Sequence, residues 1–235
     1  MTYNLIGVGN NAKTIKGDGS EYMTAIKYMK PFKTVFRGKV HNICAMAETA
    51  KCHEGCLVSA GRGQMSSVKR GRERKTMFYL SDRINFMSTL VTDITVFRRR
   101  QIKNGVQPCV RLNGTSDIQY EKSGIMEQFP DVQFYDYTKI VKRAYAKMPD
   151  NYHLTLSYSE ADMDYADSVH QAVLDTGVNM AVVFRDKLPA TFRGLRVIDG
   201  DKDDLRFLDP KGVVVGLVAK GKKAKQDKSG FVIDC

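Results

Sequence analysis

Three cysteines stand close together in the first quarter of the chain: Cys44, Cys52 and Cys56, separated by seven and then three residues. Three thiolates within one short loop can meet at a single centre without help from distant chain. Thiolate is a soft ligand, suited to zinc, copper(I) or an iron–sulfur cluster. His41 and His53 are near enough in sequence to supply a fourth ligand to zinc. The spacing is not that of the CxxC pairs of common zinc modules. Free cysteines are also often buried small hydrophobes, or redox thiols, and both alternatives stand beside the metal reading. Cys109 lies in an apolar run and reads as core. The chain opens without a basic region followed by an apolar run, so no signal peptide is expected. Five cysteines without an export signal favour metal or redox chemistry over disulfides, and a cytoplasmic location.

A second set of residues follows a series of apolar runs. Arg111, Asn113, Ser116 and Asp117 follow or end the first run; Asp136 and Lys139 end the next; Ser157 and Glu160 end the third; Arg185 ends the fourth. If the runs are strands of a parallel sheet, their C-terminal ends are where ligands bind. On that reading Asn113, Asp117, Asp136, Lys139 and Glu160 are catalytic candidates. Arg62, Arg111, Ser116, Ser157 and Arg185 are substrate-binding candidates. Helix capping competes: Asp117, Thr138 and Ser159 are all plausible N-caps, and Asp162 follows Ser159 at capping-box spacing. Capping does not explain Arg111 and Asn113, because an unpaired polar group in a buried strand costs about 1–3 kcal/mol. The acidic run at 199–204 lacks the glycine and glutamate of a calcium-binding EF-hand loop, with Asp204 and Pro210 in their places. Gly61-Arg62-Gly63 is too short for a dinucleotide or P-loop fingerprint and leaves Arg62 as a possible anion contact.

The formal charge of +11 and pI near 9.4 favour polyanionic partners, nucleic acid or nucleotide. Arg98, Arg99 and Arg100, with the basic string at 68–75, are candidates for phosphate contacts; a solvated helix face is the plainer alternative. No run reaches the ~20 apolar residues needed to span a bilayer, so no membrane association is expected.

These residues need positioning elements. Residues 1–31 read as an N-terminal arm with a short helix before Pro31, from the spacing of Tyr22, Ile26 and Met29. Residues 32–235 read as one α/β domain with a cysteine loop at 41–63. A strand is expected over 32–40, then one long helix over 65–104 with Met77, Leu80, Ile84, Met87, Leu90, Val91, Ile94 and Phe97 on one face. Strands at 109–114, 132–138, 152–159, 179–184, 195–199 and 213–219 alternate with helices at 139–147 and 160–176. The basic stretch 219–230 reads as a flexible loop. This alternation predicts a mostly parallel sheet. About seven strands with few helices fall short of the ~250 residues of a full barrel. An incomplete or irregular (β/α) barrel is expected, with an open doubly wound sheet as the alternative.

The segments NICAMAETAKCHEGCLVSAGRG, VRLNGTSDI, FPDVQFYDYTK, NYHLTLSYSE, NMAVVFR and VIDGDKDDLRFLDPKGVVVGLVAKG resemble a bacteriophage and plasmid protein family, gene product 88. The resemblance spans roughly residues 40–233 and implies a phage-type protein at work in the host cytoplasm. A three-cysteine loop ahead of a strand–helix series is also similar, by analogy alone, to radical S-adenosylmethionine enzymes. There Cys44, Cys52 and Cys56 would hold the cluster, though their spacing departs from that superfamily's and Gly114-Thr115-Ser116-Asp117 stands where its Gly-Glu motif would be. Two functions are therefore expected from the sequence. One is an enzyme whose cysteine loop holds zinc or an iron–sulfur cluster and which acts on a nucleotide, nucleic acid or other anion at the strand ends. The other is a basic nucleic-acid-binding accessory protein with structural zinc or no metal.

Overall fold

Nearly continuous apolar runs become parallel strands buried on both faces, as they must when a sheet is covered on each side. The computed structural model describes residues 4–8, 21–53 and 61–235. Its strands are β1 (Ile6–Val8), β2 (Tyr22–Lys27), β3 (Lys33–Phe36), β4 (Lys39–Asn42), β5 (Gln107–Arg111), β6 (Gln133–Thr138), β7 (Tyr152–Ser157), β8 (Asn179–Phe184), β9 (Thr191–Phe192), β10 (Leu195–Asp199), β11 (Val214–Val218) and β12 (Val232–Ile233). Four α-helices accompany them among the described residues: α1 (Ser66–Ser81), α2 (Arg83–Lys103), α3 (Met163–Thr176) and α4 (Lys222–Lys225).

The main sheet runs β1-β2-β5-β6-β7-β8-β11-β10-β9 and does not close on itself. Its inner neighbours are parallel, and only the outermost pairs, β1–β2 and β9–β10, are antiparallel. The fold is thus mixed α/β with a mostly parallel, open and irregular sheet. β7 follows one edge of β8 as far as Ala181, and β12 continues that edge beside Val183 and Phe184. β3 and β4 form a separate hairpin.

One face of the sheet carries two apolar clusters. Phe86, Leu90, Ile94 and Phe97 of α2 pack on Val110, Phe134 and Leu154. Tyr165, Ala166, Val169 and Val173 of α3 pack on Met180, Val182, Phe184 and Val214. By the two-residue alternation of strands, Arg111, Tyr135 and Tyr137 point to the other face. There the 203–209 segment meets them: Phe207 stands edge-on to Tyr22 and Tyr135, each at 5.3 Å, and Asp204 pairs with Arg111.

Several local expectations are corrected. Tyr22–Lys27 is a strand paired with β1 and β5, not a helix; the three- and four-residue apolar spacing misleads because this strand buries residues on both faces. The 65–104 region is two helices, broken at Asp82, whose carboxylate accepts from Asn85 N–H and caps the second. Residues 32–40 bend at Arg37-Gly38 into a hairpin. After β6 only a 3-10 turn forms, at Val141–Tyr145. Asp162, not Ser159, caps α3, accepting from Tyr165 N–H at 3.0 Å. The stretch expected as a flexible loop at 219–230 contains α4, and Asp227 accepts from Val232 N–H.

Gly230 ties this last segment to the sheet. It has φ +89, and a Cβ there would lie 2.7 Å from the backbone of Glu160 and Ala161. Gly230→Ala is expected to cost about 2–4 kcal/mol, from left-handed strain plus a backbone clash. A urea unfolding curve checks this, and an unchanged midpoint would refute the close approach.

Candidate functional site at the C-terminal strand ends

The loop leaving β5 and the end of β6 are locked together. Asn113 donates its backbone N–H to Asp136 Oδ1 at 2.8 Å and its Nδ2 to Oδ2 at 3.2 Å. Asn113 Oδ1 accepts from Ser116 Oγ at 2.8 Å and from Ile118 N–H at 2.9 Å. Tyr152 OH donates to Asp136 Oδ2 at 3.2 Å. Burial pushes the Asp136 carboxyl up to about 6, against the opposing pull of Arg111 and the Asn113 N–H. Asp117 accepts from Thr138 Oγ1 at 2.9 Å, from Lys139 N–H at 2.8 Å and from Arg143 Nη1 at 2.9 Å. Arg143 also donates to both Glu121 oxygens and to Tyr152 OH. An open groove of about 950 Å³ backs onto this network, lined by Glu121, Arg143, Lys122, Lys142 and Lys147 among others.

Asn113, Ser116 and Asp136 therefore spend their hydrogen-bonding capacity on one another, and Asp117 joins them through Arg143 and Tyr152. Chemically this is a frame that fixes the rim. The half-buried groups next to it have more freedom. Lys139 Nζ donates to Ser157 Oγ at 2.6 Å and lies 5.4 Å from the Phe231 ring centre. Glu160 accepts from Tyr158 OH at 3.0 Å, and Arg193 donates to the same hydroxyl at 3.2 Å.

Other candidates lie elsewhere. Arg111 is on the opposite face, 2.5 Å from Asp204. Arg185 is engaged with Asp234 and the carbonyls of Lys225 and Asp227. Arg98 pairs with Asp131 at 2.6 Å, while Arg99 and Arg100 are exposed at the end of α2. The Arg62 side chain lies outside the described residues.

The cysteine loop is fastened over the same rim. Ile43 carbonyl accepts from Asp117 N–H at 2.8 Å, and the Cys44 thiol reaches Thr115 carbonyl at 3.6 Å. Ser159 Oγ donates to Ala50 carbonyl at 2.8 Å. The loop thus grips the chain just beyond both β5 and β7. Phe32 N–H points at Cys44 Sγ from 3.4 Å. Phe32 and Lys51 both hold positive φ, +68° and +50°, without being glycine. Such strain persists only where the surroundings impose it, and it gathers at functional loops. His53 Nδ1 is 2.9 Å from Ala47 carbonyl, and its ring stacks on Phe32 at 4.8 Å. A carbonyl can only accept, so Nδ1 carries a proton; in the neutral ring that leaves the lone pair on Nε2, the arrangement common to metal-ligating histidines. Cys56 lies outside the described residues, and among the described residues no three His, Cys, Asp or Glu side chains are grouped as a metal requires. Cys109 is core, its thiol pushed up to about 12 by burial.

The family model described as gene product 88 matches residues 4–235. The chain belongs to the gene product 88 family. No curated protein and no solved structure matches it. Among the described residues of this gene product 88 chain, no helix is long and apolar enough to cross a membrane.

Sequence reasoning missed Lys27, Glu121, Arg143 and Tyr152. Lys27 ends β2 on the face of Asp136 and is fully buried, with Nζ 3.1 Å from Met29 Sδ and 4.6 Å from the Tyr120 ring centre. Nothing local announces it, because a lysine at a strand end usually reaches water. Glu121 carries a weak signal, four residues before the buried Ile125, and Arg143 carries none.

Proposed function

We propose that this gene product 88 protein is an enzyme whose cysteine loop holds a soft metal centre, zinc or an iron–sulfur cluster, over the C-terminal strand ends, where an anionic substrate binds. The observation that supports this is the attachment of residues 43–50 to the chain after β5 and after β7. It holds residues 43–50 over the C-terminal end of a parallel sheet, where ligands generally bind. Cys44, Cys52, Cys56 and the Nε2 of His53 form the donor set, and its softness fits zinc or iron. A metal held there would supply Lewis-acid or redox chemistry. Lys139 would attract the substrate's charge, and the Asn113–Asp136 and Asp117–Arg143 network would keep the rim from moving.

The test is elemental analysis of protein purified without oxygen from cells supplied with iron and zinc. About one zinc ion or one cluster per chain is expected. Cys44→Ser, Cys52→Ser and Cys56→Ser should each lower that content, and Cys109→Ser should not. Metal-free wild-type protein that also takes up neither zinc nor iron on titration would overturn the reading.

A further inference from the structure

The hairpin of β3 and β4 is not absorbed by the rim. Its two strands pair only with each other, in the register Lys33↔Asn42, Thr34↔His41, Val35↔Val40 and Phe36↔Lys39. Cross-strand partners share a face. Thr34 and His41 therefore turn toward the body, and Thr34 is buried. Val35 and Val40 turn outward side by side, 65% and 63% exposed. A paired apolar patch at the centre of a projecting ribbon is an interaction signal, unlike a single exposed valine.

The charges carried by the hairpin itself have one sign. Between Tyr22 and Ala47 there is no Asp or Glu, while Lys33, Arg37 and Lys39 lie on the hairpin and Lys30 at its base. Arg37 and Gly38 form the tip with φ +50° and +73°, and the Arg37 guanidinium sits 5.2 Å from the Phe36 ring centre. Lys33 and Lys30 pair with Glu48 and Glu73 at the exposed surface. Pairs of that kind are worth about 0–1 kcal/mol, so a stronger anion displaces them easily. The whole chain carries +11.

We propose that this hairpin is an arm that enters the major groove of a DNA duplex. The groove is about 12 Å wide and admits a two-stranded ribbon, whose strands lie about 4.8 Å apart. Arg37, Lys39 and Lys33 meet phosphates on either side, and Val35 and Val40 contact apolar base edges such as the thymine methyl. A protein partner fits less well, since the core of protein interfaces is depleted of lysine. A lipid surface fits less well too, because the ribbon has only two outward apolar side chains to insert. The proposal is independent of the metal centre and survives its failure.

The test is fluorescence anisotropy of full-length protein with a labelled duplex of about 20 base pairs, from about 50 to 300 mM salt. Wild-type protein should bind the duplex more tightly than the matching single strand. Arg37→Gln with Lys39→Gln should weaken binding at least tenfold at low salt and reduce the log–log salt slope by about 1.8, since each lost phosphate contact removes about 0.9. Val35→Ser with Val40→Ser should weaken binding with the slope unchanged, because apolar contacts release no counterions. All four positions are exposed, and circular dichroism with matched melting curves would verify folding. The proposal is overturned if the charge variant keeps affinity and slope, or if wild-type protein fails to bind duplex at low salt. Preference for single strands, or for phosphatidylserine vesicles over DNA, also overturns it.

Discussion

Asp204→Ala is expected to destabilise the protein by about 3–5 kcal/mol, because it strands a buried guanidinium. Arg111 and Asp204 are 2.5 Å apart, with side chains only 4% and 7% exposed. The Arg111 charge cannot be relinquished at any accessible pH. Removing its carboxylate leaves the desolvation cost of Arg111 offset only by the Tyr135 and Tyr137 rings and the more distant Asp136. Total stabilities of about 5–15 kcal/mol make that a large fraction of the whole. A urea midpoint at fixed slope gives the number. The companion variant Arg111→Met with Asp204→Leu removes both charges and should recover most of the loss, since a buried pair is often no better than apolar residues of similar size. Asp204→Ala within about 1 kcal/mol of wild type would mean that water reaches Arg111 in solution.

Lys27→Met is expected to act in the other direction. Lys27 is fully buried, and its Nζ is held by the Met29 sulfur at 3.1 Å and the Tyr120 face at 4.6 Å. Burial drives its ionisation down to about 7, with Asp136 pulling the other way and Lys75 adding to the depression. In the unfolded chain the same group ionises near 10.4. Between those values the unfolded state binds more protons than the folded one, so wild-type stability rises as pH increases from about 7 toward 10. Methionine has no such dependence. Lys27→Met should therefore stabilise the protein by about 1–4 kcal/mol at pH 7, and the advantage should shrink by up to about 1.4 kcal/mol per pH unit above that. Urea unfolding at pH 7 and pH 9 measures both effects. A variant less stable than wild type at pH 7, or a pH-independent difference, would show that Lys27 is well solvated or firmly paired.

The sheet was readable where burial and composition agree. Met180, Val182 and Phe184 on one face of β8, with Ala181 buried on the other, leave little but a buried strand. β2 was not readable, because Tyr22, Ile26 and Met29 recur at helical intervals while the strand buries Ala25, Ile26 and Lys27 in succession. The break at Asp82 hides inside an apolar periodicity that continues across it, and only the capping bond to Asn85 reveals it. For the site, strand ends brought Asn113, Ser116, Asp117 and Asp136 to one network as residue order implies. Arg111 went to the other face because it stands within β5, where alternation rather than position along the chain sets direction. Lys27 and Arg143 depend on contacts with chain far away in sequence, which no local pattern encodes.

The place of β11 has a consequence for assembly. It lies between β8 and β10, yet it follows β10 along the chain. On a ribosome, β8 and β10 emerge first and cannot become neighbours in their final places until β11 arrives to pair with both. On the other edge of β8, beyond the part that β7 already pairs, Val183 and Phe184 wait longer still, for β12. Until then β8 presents an apolar strand with unpaired backbone groups, the kind of edge through which nascent chains associate with one another. The pairing of β8 is thus completed only when about the last tenth of the chain, from β11 onward, reaches a strand already made.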